Sequence, residues 1–230
     1  MIGVFDYTVI LTYLSVVSAV CGCIVSISGH GHPYIGGFFL LFCGLCDTFD
    51  GIVARSKKDR SPRETAFGVQ IDSLSDLLAF GILPAMIAVG LLTSEGVRII
   101  PFPQDRLVDV YMLGFVVIVI LYVLAALIRL AFFNVLDEEK RYGLAPAGPK
   151  CFVGLPVTSS ALIFPIALLM NYFIPRNLSL LYVIMLVITG GLFLGRFRIK
   201  KPSRRMLTIL LIAGGVEFFL LLILLIWFRR

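Results

Sequence analysis

Seven apolar stretches alternate with short polar segments along the chain, at residues 8–28, 33–55, 68–93, 107–135, 152–174, 177–195 and 206–228. Each approaches or exceeds the ~20 residues with which an α-helix crosses a bilayer. The intervals between them are too short to hold a soluble domain. The pattern therefore predicts an all-α, polytopic membrane bundle of seven transmembrane helices. It breaks in only a few places, and the clearest is a group of four carboxylates: Asp47 and Asp50 inside the second stretch, Asp72 and Asp76 near the start of the third.

Composition supports the membrane reading. Of 230 residues, 59% are hydrophobic and the mean hydropathy is +1.00, whereas a soluble domain has roughly 45–50% apolar residues. The net charge of +6 would suggest nucleic acid only if the basic residues formed a face of a soluble fold. They lie in the intervals between spans, so no nucleic-acid partner is expected. Fourteen of the twenty Lys and Arg fall in segments 55–63, 136–151 and 196–205, against five at 94–106, 175–177 and the C-terminus; Arg129 lies within a span. The excess of positive charge marks the cytoplasmic loops. This puts the N-terminus inside, the C-terminus outside, and the aspartates near the cytoplasmic face of the cell membrane. Cys43 and Cys46 read as small apolar packing residues, since no second Cys pair or close His pair completes a zinc site. His30 and His32, in a turn with Gly29, Gly31 and Pro33, are expected to sit in water.

A carboxylate at membrane depth costs about 2.5–3.5 kcal/mol on insertion scales, so four together require a partner. Asp47 and Asp50 are three apart and Asp72 and Asp76 four apart, so each pair shares one helix face. The charged segment 56–65 joins the two helices directly and makes them antiparallel neighbours. Facing pairs would form an all-oxygen cage suited to a hard divalent ion such as Mg²⁺ or Mn²⁺. Arg55 alone cannot neutralise four acids. Gly51 and Gly68 remove side chains beside them, which admits either a ligand or a closely packed helix. An enzyme and a cation transporter both fit this much. A transporter is expected to repeat its broken helices in both halves, and the chain has no second aspartate cluster.

Asp47, Asp50, Gly51, Ala54, Arg55, Gly68, Asp72 and Asp76 fill all eight fixed positions of D-x-x-D-G-x-x-A-R, a spacer, then G-x-x-x-D-x-x-x-D. In this the chain resembles the CDP-alcohol phosphotransferase family. The spacer, residues 56–67, is longer than is usual there. Within the family the chain is similar to the bacterial and archaeal membrane-type phosphatidylserine synthases. The similarity is carried by the run Phe67 to Asp76 with Phe80, Gly81 and Pro84, by Arg129 to Asn134 with Phe132 where an arginine is expected, and by Phe152 to Pro156. In the first helix Thr8-Val9-Ile10 stands where the family commonly has P-N before L-T. The resemblance covers roughly residues 10–203. It implies a membrane domain over 1–203 with a six-helix core, and an additional C-terminal helix over 204–230.

The resemblance implies transfer of a phosphatidyl group from CDP-diacylglycerol to the hydroxyl of L-serine, releasing CMP, with two divalent ions, Mg²⁺ or Mn²⁺. By the same resemblance Asp47, Asp50, Asp72 and Asp76 hold the metals, and Asp76 is also the base that takes the alcohol proton. Gly51, Ala54, Arg55 and Gly68 would cradle the CDP moiety. Arg129 offers a fork that matches carboxylate or phosphate, although snorkelling to the interface explains an arginine there too. With Asn134 it is assigned to serine or lipid phosphate. The family also implies a homodimer. A sister activity with glycerol phosphate, inositol phosphate or choline as acceptor, or with an ether-lipid donor, stays open. Glu217, in the last stretch, is expected to make a helix or oligomer contact.

Overall fold

The computed structural model describes residues 3–28, 33–94, 106–141, 151–173, 178–200 and 204–228. The turn holding His30 and His32 and much of the basic segments around 142–150 and 201–203 lie outside the described residues. Eight α-helical segments follow in order: α1 (Ile10–Ile27), α2 (Pro33–Ser56), α3 (Pro62–Asp76), α4 (Leu83–Ser94), α5 (Arg106–Arg141), α6 (Ser160–Phe173), α7 (Leu178–Leu194) and α8 (Arg204–Phe228). α3 and α4 are one rod joined by a π-helical turn, Leu77–Ile82. Among the described residues, four helical runs are long and apolar enough to cross a membrane, namely Tyr7–Ile27, Pro33–Ser56, Pro62–Ser94 and Met112–Glu139, with shorter apolar helices at Val157–Met170, Ser179–Leu194 and Thr208–Leu224. The polytopic helical membrane fold expected from the hydropathy pattern is the one observed.

α1 shows how such a bundle sorts its residues. Its buried side is Thr12, Ser15, Ser18, Ala19, Gly22 and Ser26, while Ile10, Val17 and Ile24 are exposed on the outside. In lipid, apolar side chains gain nothing by turning inward, and small residues win the interface because they let backbones approach. Gly22 illustrates this: a Cβ there would stand 2.8 Å from Phe39 Cβ. Gly90 of α4 likewise lies directly against the Ser26 carbonyl. Ser18 Oγ donates to Phe39 O at 3.0 Å and Cys43 Sγ to Ser15 O at 3.4 Å, so α1 and α2 are also stitched by side chain to backbone bonds. Cys43 and Cys46 are buried packing residues, as the sequence implied.

The π turn has a local cause. Pro84 has no N–H to give the carbonyl four residues back, that of Phe80, and its ring crowds that carbonyl. The helix instead closes a wider loop, with Leu83 N–H bonding Leu78 O, and Tyr122 of α5 donates its hydroxyl to Phe80 O at 2.7 Å. Tyr182 of α7 similarly donates to Pro84 O at 3.2 Å. These two tyrosines pack with Phe164 in a buried aromatic cluster, with ring centroids 5.6 Å (Tyr122 to Phe164) and 5.0 Å (Phe164 to Tyr182) apart.

Two boundaries differ from the sequence expectation. The charged segment was expected to be loop through residue 65, but helix resumes at Pro62 because Ser61 and Glu64 form a capping box: Ser61 Oγ accepts from Glu64 N–H at 3.2 Å and Ser61 N–H donates to Glu64 Oε2 at 2.8 Å. The fifth stretch was expected to be helical from 152. It begins instead with a strand, Cys151–Val153, paired antiparallel with Arg198–Lys200. Gly154 at φ +78° turns the chain, and the helix starts only after Pro156 and a 3₁₀ turn, Val157–Ser159.

α8 packs on α2 and α6. Leu221 enters the core, Phe218 stacks edge-on against Phe38 at 5.2 Å, and Gly214 meets Leu162. Glu217, on the same face, is 6% exposed, and its Oε2 has no hydrogen-bond partner among the described residues.

Candidate active site

The loop between α2 and α3 is only five residues long, and the two helices turn their acids toward one another. One ligand oxygen from each of Asp47, Asp50 and Asp72 falls within 4.8 Å of the others. All three side chains are half-buried. Asp76, one turn beyond Asp72 on the same helix, is outside that close trio. Carboxylates this close repel unless a proton or a cation lies between them, and an all-oxygen set with no nitrogen or sulfur ligand fits a hard divalent ion. The trio could therefore hold a divalent metal ion.

Beside the trio opens a cleft of about 210 Å³. Its walls are Asp50, Gly51, Ala54 and Arg55 of α2, Gly68 and Asp72 of α3, Thr8 and Thr12 of the first helix, and Arg60 of the intervening loop. The fold thus brings all four residues assigned to the CDP moiety into one space that also meets two of the acids. Arg55 folds back over Gly51, its Nη1 3.5 Å from where a Cβ would stand. Arg60 was not singled out in the sequence, yet its guanidinium lies against Gly68 and its buried Nε has no hydrogen-bond partner among the described residues. The only sequence signal was the long, charged spacer.

A charge cluster ties together the segments that carry the cleft wall. Lys57 Nζ reaches Asp6 Oδ2 at 2.7 Å and Glu64 Oε1 at 2.8 Å, which joins the N-terminal segment to the loop and to the start of α3. Asp6 also accepts from the Thr8 N–H at 2.9 Å and from the Thr8 hydroxyl. The Lys57 ammonium, followed by Thr8, holds the Asp6 carboxyl down at about 2.

A second group of expected residues lies along α5. Asn134 Oδ1 is 3.0 Å from Ser73 Oγ, on the turn between Asp72 and Asp76. Arg129 lies about 7–8 Å further along the helix, at 1.5 Å per residue. It is 5% exposed, donates from Nε to Leu155 O at 3.2 Å, and has a buried Nη1 without a partner among the described residues. Gly154 makes this possible: a Cβ there would press on Gly195 O at 2.8 Å, and its N–H bonds Phe197 O at 2.7 Å. An arginine this buried is not snorkelling to an interface.

Fold and site together define a polytopic helical membrane protein with a carboxylate trio at the end of one helical hairpin. The chain belongs to the CDP-alcohol phosphatidyltransferase family, whose sequence model matches residues 7–193. That match ends before α8. Over 167 residues the chain is 31% identical to the CDP-diacylglycerol–serine O-phosphatidyltransferase of Saccharomyces cerevisiae, covering 70% of this chain and 52% of that protein. It is 28% identical over 157 residues to the Helicobacter pylori protein of the same name, covering 67% of this chain and 55% of the relative. The chain thus matches little more than half the length of these curated relatives.

Proposed function

We propose that the protein is a CDP-diacylglycerol–serine O-phosphatidyltransferase. The observation that carries this reading is the convergence of Asp47, Asp50 and Asp72 within 4.8 Å beside a cleft lined by Gly51, Ala54, Arg55 and Gly68; the relatives named for the serine reaction point to the acceptor. Divalent ions held by Asp47, Asp50 and Asp72, with Asp76 adjoining, would neutralise the diphosphate and the charge that builds on the departing nucleotide.

The remaining roles fall to the chain's own groups. Gly51 and Gly68 leave room for the nucleotide to approach backbone, and Arg55 offers donors to its phosphates. The serine hydroxyl oxygen attacks the phosphorus attached to diacylglycerol. A new P–O bond forms, the P–O bond to CMP breaks, and CMP leaves with that electron pair. Asp76 takes the hydroxyl proton. Arg129, with an unused N–H, and Asn134 are assigned to the serine carboxylate or the lipid phosphate. Residues 1–203 form the catalytic membrane domain in this reading and 204–230 an added helix. The site faces the cytoplasm of a cell membrane, and the protein works as a homodimer. An impermeant thiol reagent labelling Lys58→Cys only from the cytoplasmic side, in a cysteine-free variant, supports that orientation; labelling from outside reverses it.

The deciding assay supplies purified protein with CDP-diacylglycerol, Mg²⁺ or Mn²⁺, and a panel of labelled alcohols. Label from serine should enter lipid, with CMP released in equal amount, and EDTA should abolish both. Incorporation of glycerol phosphate, inositol phosphate or choline instead would reassign the acceptor, and full activity in thoroughly chelated protein would defeat the metal reading.

A further inference from the structure

The loop between α2 and α3 delivers a side chain into the cleft that the recognised pattern of acids and glycines leaves unassigned. Arg60 precedes the α3 N-cap, Ser61, by one residue. Its guanidinium rests against Gly68, in the space a Cβ would otherwise fill. Its Nε is buried without a hydrogen-bond partner among the described residues. No ion pair joins it to Asp50 or Asp72 among the described residues, although both line the same cleft. A desolvated guanidinium N–H with no acceptor is unfavourable, so the arrangement is one that an incoming anion improves.

Simple packing would explain a guanidinium laid on a glycine. Two features argue for more. The loop is held at both ends, by Lys57 bridging Asp6 and Glu64 and by the capping box of Ser61 and Glu64, so Arg60 is presented at low entropic cost. In addition Arg55 lies over Gly51 in the same cleft. The cleft is therefore two-signed: Asp50 and Asp72 line it together with two guanidiniums, each over a glycine.

We propose that Arg60 is a donor-binding residue which, together with Arg55, clamps the diphosphate of a nucleoside-diphosphate lipid across Gly51 and Gly68. This rests on the donor assigned above. The forks of the two arginines suit two adjacent phosphates, and the long spacer between the two halves of the acidic motif is what lets Arg60 reach back. On binding, the Arg60 guanidinium lifts off Gly68 to admit the phosphate and gives its orphaned N–H to a phosphate oxygen.

The test uses the full chain in detergent with Mg²⁺ present and three probes: CDP, cytidine and inorganic pyrophosphate. Arg60→Ala should weaken CDP binding by about tenfold or more and pyrophosphate binding in proportion, with cytidine binding unchanged. Arg60→Lys should recover part of the loss, because charge returns without the fork. Arg63→Ala, at an exposed arginine of the same segment outside the cleft, should stay within about twofold of wild type, which separates the clamp from a general loss of positive charge. Unchanged CDP affinity in Arg60→Ala overturns the proposal while leaving the donor assignment standing. An equal loss for cytidine, or a fall in thermal stability that accounts for the loss, also overturns it and makes Arg60 a packing residue. If the wild type binds pyrophosphate but not CDP, and Arg60→Ala abolishes that binding, the anion clamp holds and the nucleotide donor is wrong.

Discussion

Ser73 and Asn134 meet across two helices, Oγ to Oδ1 at 3.0 Å, on the turn that carries Asp72 and Asp76. Ser73 Oγ is also 3.1 Å from Val69 O. A hydroxyl has one proton to give. If it goes to Val69, an amide turned about its last bond donates to Oγ instead. In either arrangement the bond ties α3 to α5 at the turn that carries its acids, as the Ser75 hydroxyl ties it to Thr12 O of α1 at 3.3 Å.

Ser73→Ala and Asn134→Ala should therefore each lower turnover, by about fivefold for a lost hydrogen bond of ~1 kcal/mol. The double variant should be no worse than Asn134→Ala alone, because the contribution of Ser73 runs through Asn134. Turnover measured for the set of three decides it; losses that multiply would mean independent roles.

Asp76→Asn keeps the size of the side chain but cannot accept the serine proton, so turnover should fall by about 10²-fold or more. Affinity for CDP-diacylglycerol should fall less, since Asp47, Asp50 and Asp72 still form their close trio. Asp50→Asn, at the trio and on the cleft wall, should weaken Mg²⁺ and donor binding along with turnover. Affinity and turnover measured for both variants separate the two roles, and equal loss of binding in both would reduce Asp76 to one more ligand.

Arg129→Lys retains charge and loses the fork. With Nε already committed to Leu155 O and Nη1 without a partner among the described residues, the change should raise the serine KM more than the CDP-diacylglycerol KM. Steady-state kinetics varying each substrate in turn is the check. A rise confined to the donor would assign the arginine to the lipid phosphate.

The Asp6–Lys57 pair predicts an acid-sensitive tie between the N-terminal segment and the loop before α3. The Asp6 carboxyl is held at about 2 against an ordinary value of 3.8. A lowered folded-state value means that its contribution is complete above the ordinary value and is lost as pH falls toward about 2. Melting temperatures of wild type and Asp6→Asn should differ at pH 6 and converge by about pH 2. The gap should be small, because the pair is partly solvated. A constant difference across that range would place the effect elsewhere.

Much of the site could be read locally. Spacings of three and four put Asp47 with Asp50 and Asp72 with Asp76 on shared faces whatever the bundle does, and the short loop forces the two helices together. The capping box of Ser61 and Glu64 is equally local, although the charges around it give the segment the composition of a loop. Arg60 was harder. Nothing in the order of residues says that a loop arginine turns back onto Gly68 eight residues later, since that depends on how tightly α2 and α3 close.

The sequence by itself determined that this is a membrane bundle with an acidic hairpin, because transfer cost and helical period act over one helix at a time. The tertiary structure decided which atoms meet. The π turn at Phe80 is completed by Tyr122 of α5, the strand Cys151–Val153 by Arg198–Lys200, and the turn that carries Asp72 and Asp76 is tied by Asn134. Each of these needs a partner more than forty residues away. In lipid, where apolar side chains carry no preference for the inside, helix rotation is set by small-residue contacts and a few interhelical hydrogen bonds, which local sequence does not encode.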